Sequence, residues 1–172
     1  MDSTNLLLVG QSAACIPVCS SGIPEVLRNR PQWVLWKNVV RDGSSTKIPF
    51  QANGKRASSK DPNTWCSYDE ALDVYGRGSY DGMGYMFSHE DLFTGIDLDG
   101  CRNPNTGEIA EWAMEIINRF NTYTEVSPTG TGLKLIAEGI TPLESGKRQD
   151  LSDEVPAFTW KSPGIEMYSD KR

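Results

Sequence analysis

The run Phe93-Thr94-Gly95-Ile96-Asp97-Leu98-Asp99-Gly100 constrains this chain more than any other segment. Strand alternation sends Ile96 and Leu98 to one face and Asp97 and Asp99 to the other, with the acidic Cα atoms about 7 Å apart. Such a strand must bury its apolar face and must also neutralise two like charges, which a divalent cation does best. The same residues also suit a solvated strand end that turns at Gly100. Both readings are open on this segment alone.

The rest of the chain sets the bounds. Its 172 residues with 38% hydrophobic content suit one globular domain with a real core. The start, Met1-Asp2-Ser3-Thr4-Asn5, carries an acid and no Lys or Arg, and Leu6-Leu7-Leu8-Val9 is too short for a membrane span or a signal sequence. A cytoplasmic, monomeric protein with no membrane contact is expected. Cys15, Cys19, Cys66 and Cys101 lack a C-x-x-C spacing and His89 is the lone histidine, which argues against a zinc site. Cys15 and Cys19 read as free thiols, with metal ligation as the alternative. The net charge of −6 excludes a basic coat, yet positions 24–65 hold eight Lys or Arg against three Asp or Glu, and positions 66–172 hold nine against nineteen. That division sets a cationic surface beside an acidic centre, or reflects an ordinary solvated surface.

Residues 1–22 are rich in Ser, Cys and small side chains without a sustained period and read as a mobile leader, so the domain is expected to span 23–172. Gln32-Trp33-Val34-Leu35-Trp36-Lys37 and Lys47-Ile48-Pro49-Phe50 flank the turn Asp42-Gly43-Ser44-Ser45 and predict a hairpin. Ser67-Tyr68-Asp69-Glu70 matches a capping box ahead of Ala71, Val74 and Tyr75, with Gly76 and Gly78 as the stop. Met83-Gly84-Tyr85-Met86-Phe87 and the Asp97 run read as strands that pair antiparallel through the His89-Glu90-Asp91 turn. Apolar positions at intervals of three and four predict a helix over 109–120. Strands are expected at Thr124-Glu125-Val126-Ser127, Leu133-Lys134-Leu135-Ile136-Ala137 and Gly164-Ile165-Glu166-Met167-Tyr168. Hairpins interspersed with helices make the class α+β.

Ser127-Pro128-Thr129-Gly130-Thr131-Gly132-Leu133-Lys134 suits an anion: glycines let backbone N–H groups approach, Ser127 and Thr129 offer hydroxyls, and Lys134 adds positive charge. It lacks the Walker spacing, and as a bare loop it is equally an ordinary β-turn. Lys147 and Arg148 form a cation pair after a flexible glycine, of the kind usually found on a solvated surface. Glu166 lies within the apolar frame Ile165-Glu166-Met167-Tyr168, where a carboxylate is costly unless exposed, paired or ligating.

These blocks occur in a recognisable order: Gly95-Ile96-Asp97-Leu98-Asp99-Gly100-Cys101-Arg102, then Tyr123 through Lys134, then Ile165-Glu166-Met167-Tyr168. Pro31-Gln32-Trp33-Val34-Leu35-Trp36-Lys37, Thr46-Lys47-Ile48-Pro49-Phe50 and Ala57-Ser58-Ser59-Lys60-Asp61-Pro62-Asn63-Thr64-Trp65 accompany them. Over roughly residues 23–172 the chain resembles the archaeo-eukaryotic primase superfamily, specifically its phage- and plasmid-type primase-polymerases.

The resemblance implies a catalytic core related to the RNA-recognition-motif fold with an accessory N-terminal α/β unit. It implies template-directed nucleotidyl transfer on single-stranded DNA from nucleoside triphosphates, with a replicative helicase as a possible partner. Asp97 and Asp99 match the first motif and would bind Mg²⁺ or Mn²⁺, with Glu166 completing the metal site. Ser127, Thr129, Gly130 and Lys134 match the second motif and would hold the triphosphate; many relatives have His at the Lys134 position. Lys147 and Arg148 fall where relatives carry basic residues. Trp36, Trp65, Tyr68 and Tyr85 read either as base-stacking or, more commonly, as buried aromatics. Relatives continue where this chain stops, so an unpaired edge at the Glu166 strand, in a fragment or a shortened protein, is expected.

The rival readings are a catalytically impaired nucleotide- or DNA-binding remnant and a metal-dependent glycosyl- or phosphotransferase. A calcium loop fails because Arg102 stands where Gly is needed, and a single histidine disfavours a nickase built on paired histidines.

Overall fold

The computed structural model describes residues 15–41, 44–139, 141 and 146–170. Most of the expected leader, residues 6–9 included, lies outside these residues, as do Asp42 and Gly43 of the first turn. The elements run α1 (Glu25–Arg28), β1 (Trp33–Arg41), β2 (Ser44–Phe50), α2 (Tyr68–Gly76), β3 (Gly82–Tyr85), β4 (Phe93–Asp99), α3 (Glu111–Phe120), β5 (Tyr123–Val126), β6 (Leu133–Glu138), β7 (Lys147–Asp150) and β8 (Gly164–Tyr168). They build a three-stranded sheet ordered β2-β1-β3 and a five-stranded sheet ordered β5-β6-β4-β8-β7. Every named strand pair is antiparallel, and the helices lie between hairpins, so the chain is α+β.

Local chemistry explains most elements. β1 and β2 pair as the expected hairpin, with Lys37 opposite Ile48 and Asn38 opposite Lys47. Ser67 and Glu70 complete the capping box reciprocally and so start α2. α3 begins after Ala110 and ends at Asn121, whose φ of 44° stops the helix in the left-handed region.

Two pairings differ from expectation. The strands around Met83 and Asp97 do not pair with each other: β3 joins β1, with Met83 opposite Leu35, whereas β4 lies between β6 and β8. The reason is the Trp36 indole, which fills the space a side chain at Gly82 would need and so holds β3 against β1. Lys147 and Arg148 lie in a fully exposed strand, β7, which covers β8. The Glu166 strand is therefore interior, and β7 forms that border of the sheet.

The five-stranded sheet is a middle layer. One face buries Ile96, Leu98, Leu133 and Leu135 with Ala113 of α3, and Trp112, Ile116, Ile165 and Met167 pack around them. Part of the opposite face contributes Phe93, Ile136 and Tyr168 to a second core with Leu27, Trp33, Tyr68, Ala71 and Phe87 from the N-terminal half. The remainder of that face is polar. From residue 15 onward the N-terminal segment lies on the domain, with Ile16 N–H donating to Pro128 O at 3.2 Å and Val18 N–H to the Tyr75 hydroxyl at 3.2 Å. Among the described residues no helix is long and apolar enough to cross a membrane, and the four cysteines are free thiols.

Candidate active site

Register places one residue from each strand of the larger sheet in a single row: Glu125, Lys134, Asp97, Glu166, Arg148. Directly opposed residues project to the same face, so the row alternates charge except at Asp97 and Glu166, which stand side by side. Asp99 lies two residues further along β4 on the same face, opposite Gly164.

Protein cations neutralise this acidic centre. Lys134 Nζ lies 3.5 Å from Asp97 Oδ1, and the Tyr168 hydroxyl donates to Asp97 Oδ2 at 3.1 Å. Burial works against the Lys134 ammonium, but the Tyr168 oxygen and the Asp97 carboxylate outweigh it and raise its pKa, so it stays charged. Burial, with Asp97 adding, pushes the Tyr168 phenol upward and keeps it a neutral donor. Asp99 is held by Arg148 Nη1 at 2.8 Å and Lys161 Nζ at 2.6 Å, one on each oxygen. The repulsion expected between Asp97 and Asp99 is thus offset by Lys134, Arg148 and Lys161.

Two close approaches make this geometry. Gly95 has the Tyr168 and Phe87 rings where a Cβ would stand; without a side chain there, Tyr168 lies across β4 and aims its hydroxyl at Asp97. At Gly164 the Arg148 guanidinium passes 3.2 Å from the corresponding position and so reaches Asp99.

The loop before β6 adjoins Asp99, because Gly132 sits against the Leu98 carbonyl and the Asp99 backbone. Ser127, Thr129 and Thr131 form a hydroxyl chain with oxygen separations of 3.2 and 3.0 Å. Gly130 turns the chain at φ 77°, its N–H donating to Ser127 O at 2.8 Å, and Arg102 Nη1 braces its carbonyl at 2.9 Å. Gly132 N–H donates to Ser127 Oγ at 3.1 Å. Both glycine N–H groups are therefore used within the loop.

Asp97, Asp99, Glu166, Lys134 and Arg148 share one face, with Ser127, Thr129 and Gly130 in the adjoining loop. Lys147 does not join them, since it opposes Met167 and alternation turns it to the face that packs on α3. Glu166 Oε1 lies near Gly146. Among the described residues no group of three or more His, Cys, Asp or Glu side chains is gathered closely enough to hold a metal ion. The donors are chemically suited to Mg²⁺ or Mn²⁺, being carboxylate oxygens on adjacent strands, but an ion at Asp99 has to compete with Arg148 and Lys161. Trp33, Trp36 and Tyr68 are buried aromatics; Tyr85 is half-buried and packs edge-on against Trp33.

Sequence reasoning missed two contributors. Lys161 comes from a loop without periodicity and meets Asp99 across 62 positions. Tyr168 stood in a recognised block, but only the space over Gly95 reveals what it does.

The chain is 40% identical over 119 residues to the DNA primase-polymerase of Nitratiruptor phage NrS-1. It is similar to a phage primase-polymerase. The match covers 69% of this chain and 16% of the phage protein, so the chain spans a small part of that relative's length. No protein-family model matches the chain.

Proposed function

We propose that this chain carries out metal-dependent, template-directed nucleotidyl transfer as a DNA primase-polymerase domain in phage, plasmid or mobile-element replication. The single observation that carries this reading is the row of Lys134, Asp97, Glu166 and Arg148 beside Asp99, in a chain 40% identical to a phage DNA primase-polymerase. In the same reading the five-stranded half is the catalytic core of the archaeo-eukaryotic primase type, related to the RNA-recognition-motif fold, and the N-terminal half is its accessory unit.

Asp97 and Asp99, with Glu166, would hold Mg²⁺ or Mn²⁺. Such an ion would supply activation of the attacking 3′-hydroxyl and stabilisation of the leaving pyrophosphate. The protein's own side chains do the remaining work. With an ion at Asp99, Lys161 and Arg148, which now hold its two oxygens, would be free to meet phosphate oxygens. Lys134, charged and half-buried, sets the potential of the triphosphate pocket, and Ser127 and Thr129 orient the phosphates through their hydroxyls. Tyr168 holds the Asp97 carboxylate in one rotamer. DNA template and nucleoside triphosphates are the proposed substrates, and a replicative helicase the proposed partner.

The test is primer extension and de novo priming with Mg²⁺ or Mn²⁺ on single-stranded template. Metal-dependent incorporation that disappears in Asp97→Asn supports the reading. Incorporation unaffected by that substitution refutes the site, and no incorporation with either ion refutes the activity.

A further inference from the structure

Trp160 lies in the connection between β7 and β8, one residue before the lysine that reaches Asp99. At 78% exposure it is the most open large apolar side chain among the described residues. No other aromatic ring among them packs on it. The other tryptophans are engaged: Trp33 and Trp36 are buried, Trp65 Nε1–H donates to Ser58 O at 2.8 Å, and Trp112 packs on the core beneath α3. An indole left in water forgoes the burial that so large an apolar surface would ordinarily gain.

The backbone beneath Trp160 is anchored on both sides. Before it, Phe158 packs on the core of Ile96, Leu98 and Ala113, and Thr159 Oγ1 accepts the Lys161 N–H at 3.1 Å. After it, the Lys161 and Ser162 carbonyls occupy the space that a side chain on Gly100 would need. Lys161 Nζ meets Asp99 Oδ1 at 2.6 Å, and the buried Pro163 accepts the Leu151 N–H at 3.0 Å. A turn held this way presents its ring beside Asp99 with little left to order on binding. The two cations on Asp99, Lys161 and Arg148, stand close to it. An aromatic plate beside cations on a fixed support fits a single-stranded polynucleotide, whose bases stack on the ring while its phosphates meet the charges.

The two sides of β4 differ in what they offer. The hydroxyl loop meets the Asp99 backbone through Gly132 from the β6 side, whereas the Trp160 turn leads into β8 on the other. With the triphosphate on the first side, the second is left for the strand. We infer that Trp160 is a base-stacking residue that holds one nucleobase of single-stranded DNA beside Asp99. The inference rests on the proposed primase-polymerase reading and gives the strand its contact at that site.

The test compares the affinity of the full chain for a fluorescent oligothymidylate and for an abasic strand of the same length, by anisotropy with Mg²⁺ at fixed ionic strength. Trp160→Ala is expected to weaken oligothymidylate binding about tenfold, the size of one lost base stack. Trp160→Phe is expected to stay within about threefold of the natural chain, and abasic-strand affinity within about twofold in both variants. Unchanged oligothymidylate affinity in Trp160→Ala overturns the inference. So does an equal loss on the abasic strand, which would place the effect in the phosphate contacts or the fold. An equal loss in Trp160→Phe and Trp160→Ala also overturns it, because stacking survives in Phe. Primer extension separates this result from the parent reading. Extension retained by the natural chain, with DNA affinity independent of Trp160, removes only the present inference. Stacking that depends on Trp160 in a chain that extends no primer removes the polymerase and leaves the strand contact.

Discussion

Asp91 and Asp99 flank the same strand, and their partners are of opposite kinds. Asp91 is 2% exposed and receives neutral donors: Gln32 Nε2 at 2.6 Å, Phe93 N–H at 2.9 Å, Ser88 N–H at 3.1 Å and the Tyr85 hydroxyl at 3.3 Å. Asp99, with its side chain 18% exposed, receives two cations on mobile stems. Fixed dipoles around a buried carboxylate lock a turn, since removing any partner orphans the rest. Cations at a half-open carboxylate can be exchanged for other cations. One end of β4 is built to stay as it is, and the other to change partners.

Substitutions at the two ends sharpen this contrast. Asp99→Asn is expected to reduce metal-dependent primer extension by about 100- to 1,000-fold, while chemical denaturation shifts by less than about 1 kcal/mol. Asp91→Ala is expected to do the reverse, costing about 3 kcal/mol in denaturation because several buried donors lose their acceptor; nucleotide affinity of the fraction that stays folded is expected to hold. Equal destabilisation by the two variants would erase the distinction. Gly95→Ala forces a methyl into the Tyr168 and Phe87 rings and is expected to cost about 2 kcal/mol by thermal melting, with extension lowered as well, because Tyr168 is displaced from Asp97.

The smallest effect concerns pH at a site remote from both ends. The Ser67 hydroxyl and N–H hold the Glu70 carboxyl below its usual pKa. A depressed folded-state value means the capping contribution is present above the ordinary Glu range and is lost as pH falls through the folded value. Melting curves of the natural chain and of Glu70→Gln are therefore expected to converge as the pH drops below about 4. A gap that persists there would contradict the capping role.

The features legible in the sequence were those with a local cause. The capping box at Ser67, the apolar stripe of α3 and the β1–β2 alternation each depend on residues within a few positions of one another. The shared face of Asp97 and Asp99 follows from the period of a strand. What escaped depends on distant surfaces. Met83 and Asp97 stand in neighbouring strands of the chain, but the fit of Trp36 against Gly82 gave β3 to β1. β7 is an edge strand exposed at every position, so Lys147 to Asp150 show no apolar alternation that would mark a strand. Once that segment is a strand, alternation separates Lys147 from Arg148. Lys161 carries no local signature, and its place on Asp99 is set by the packing of the β7–β8 connection. The metal expectation stands on donor chemistry, and in this structure the protein's own cations occupy the Asp99 oxygens.

Tyr168 belongs to the hydrophobic core by its ring and to the proposed reacting centre by its hydroxyl, with no flexible spacer between the two. Heat that loosens the Phe87 and Tyr168 packing therefore misaims Asp97 before the backbone comes apart. Catalytic output should fade several degrees below the melting point, making turnover a more sensitive thermometer of this interior than any bulk spectroscopic signal.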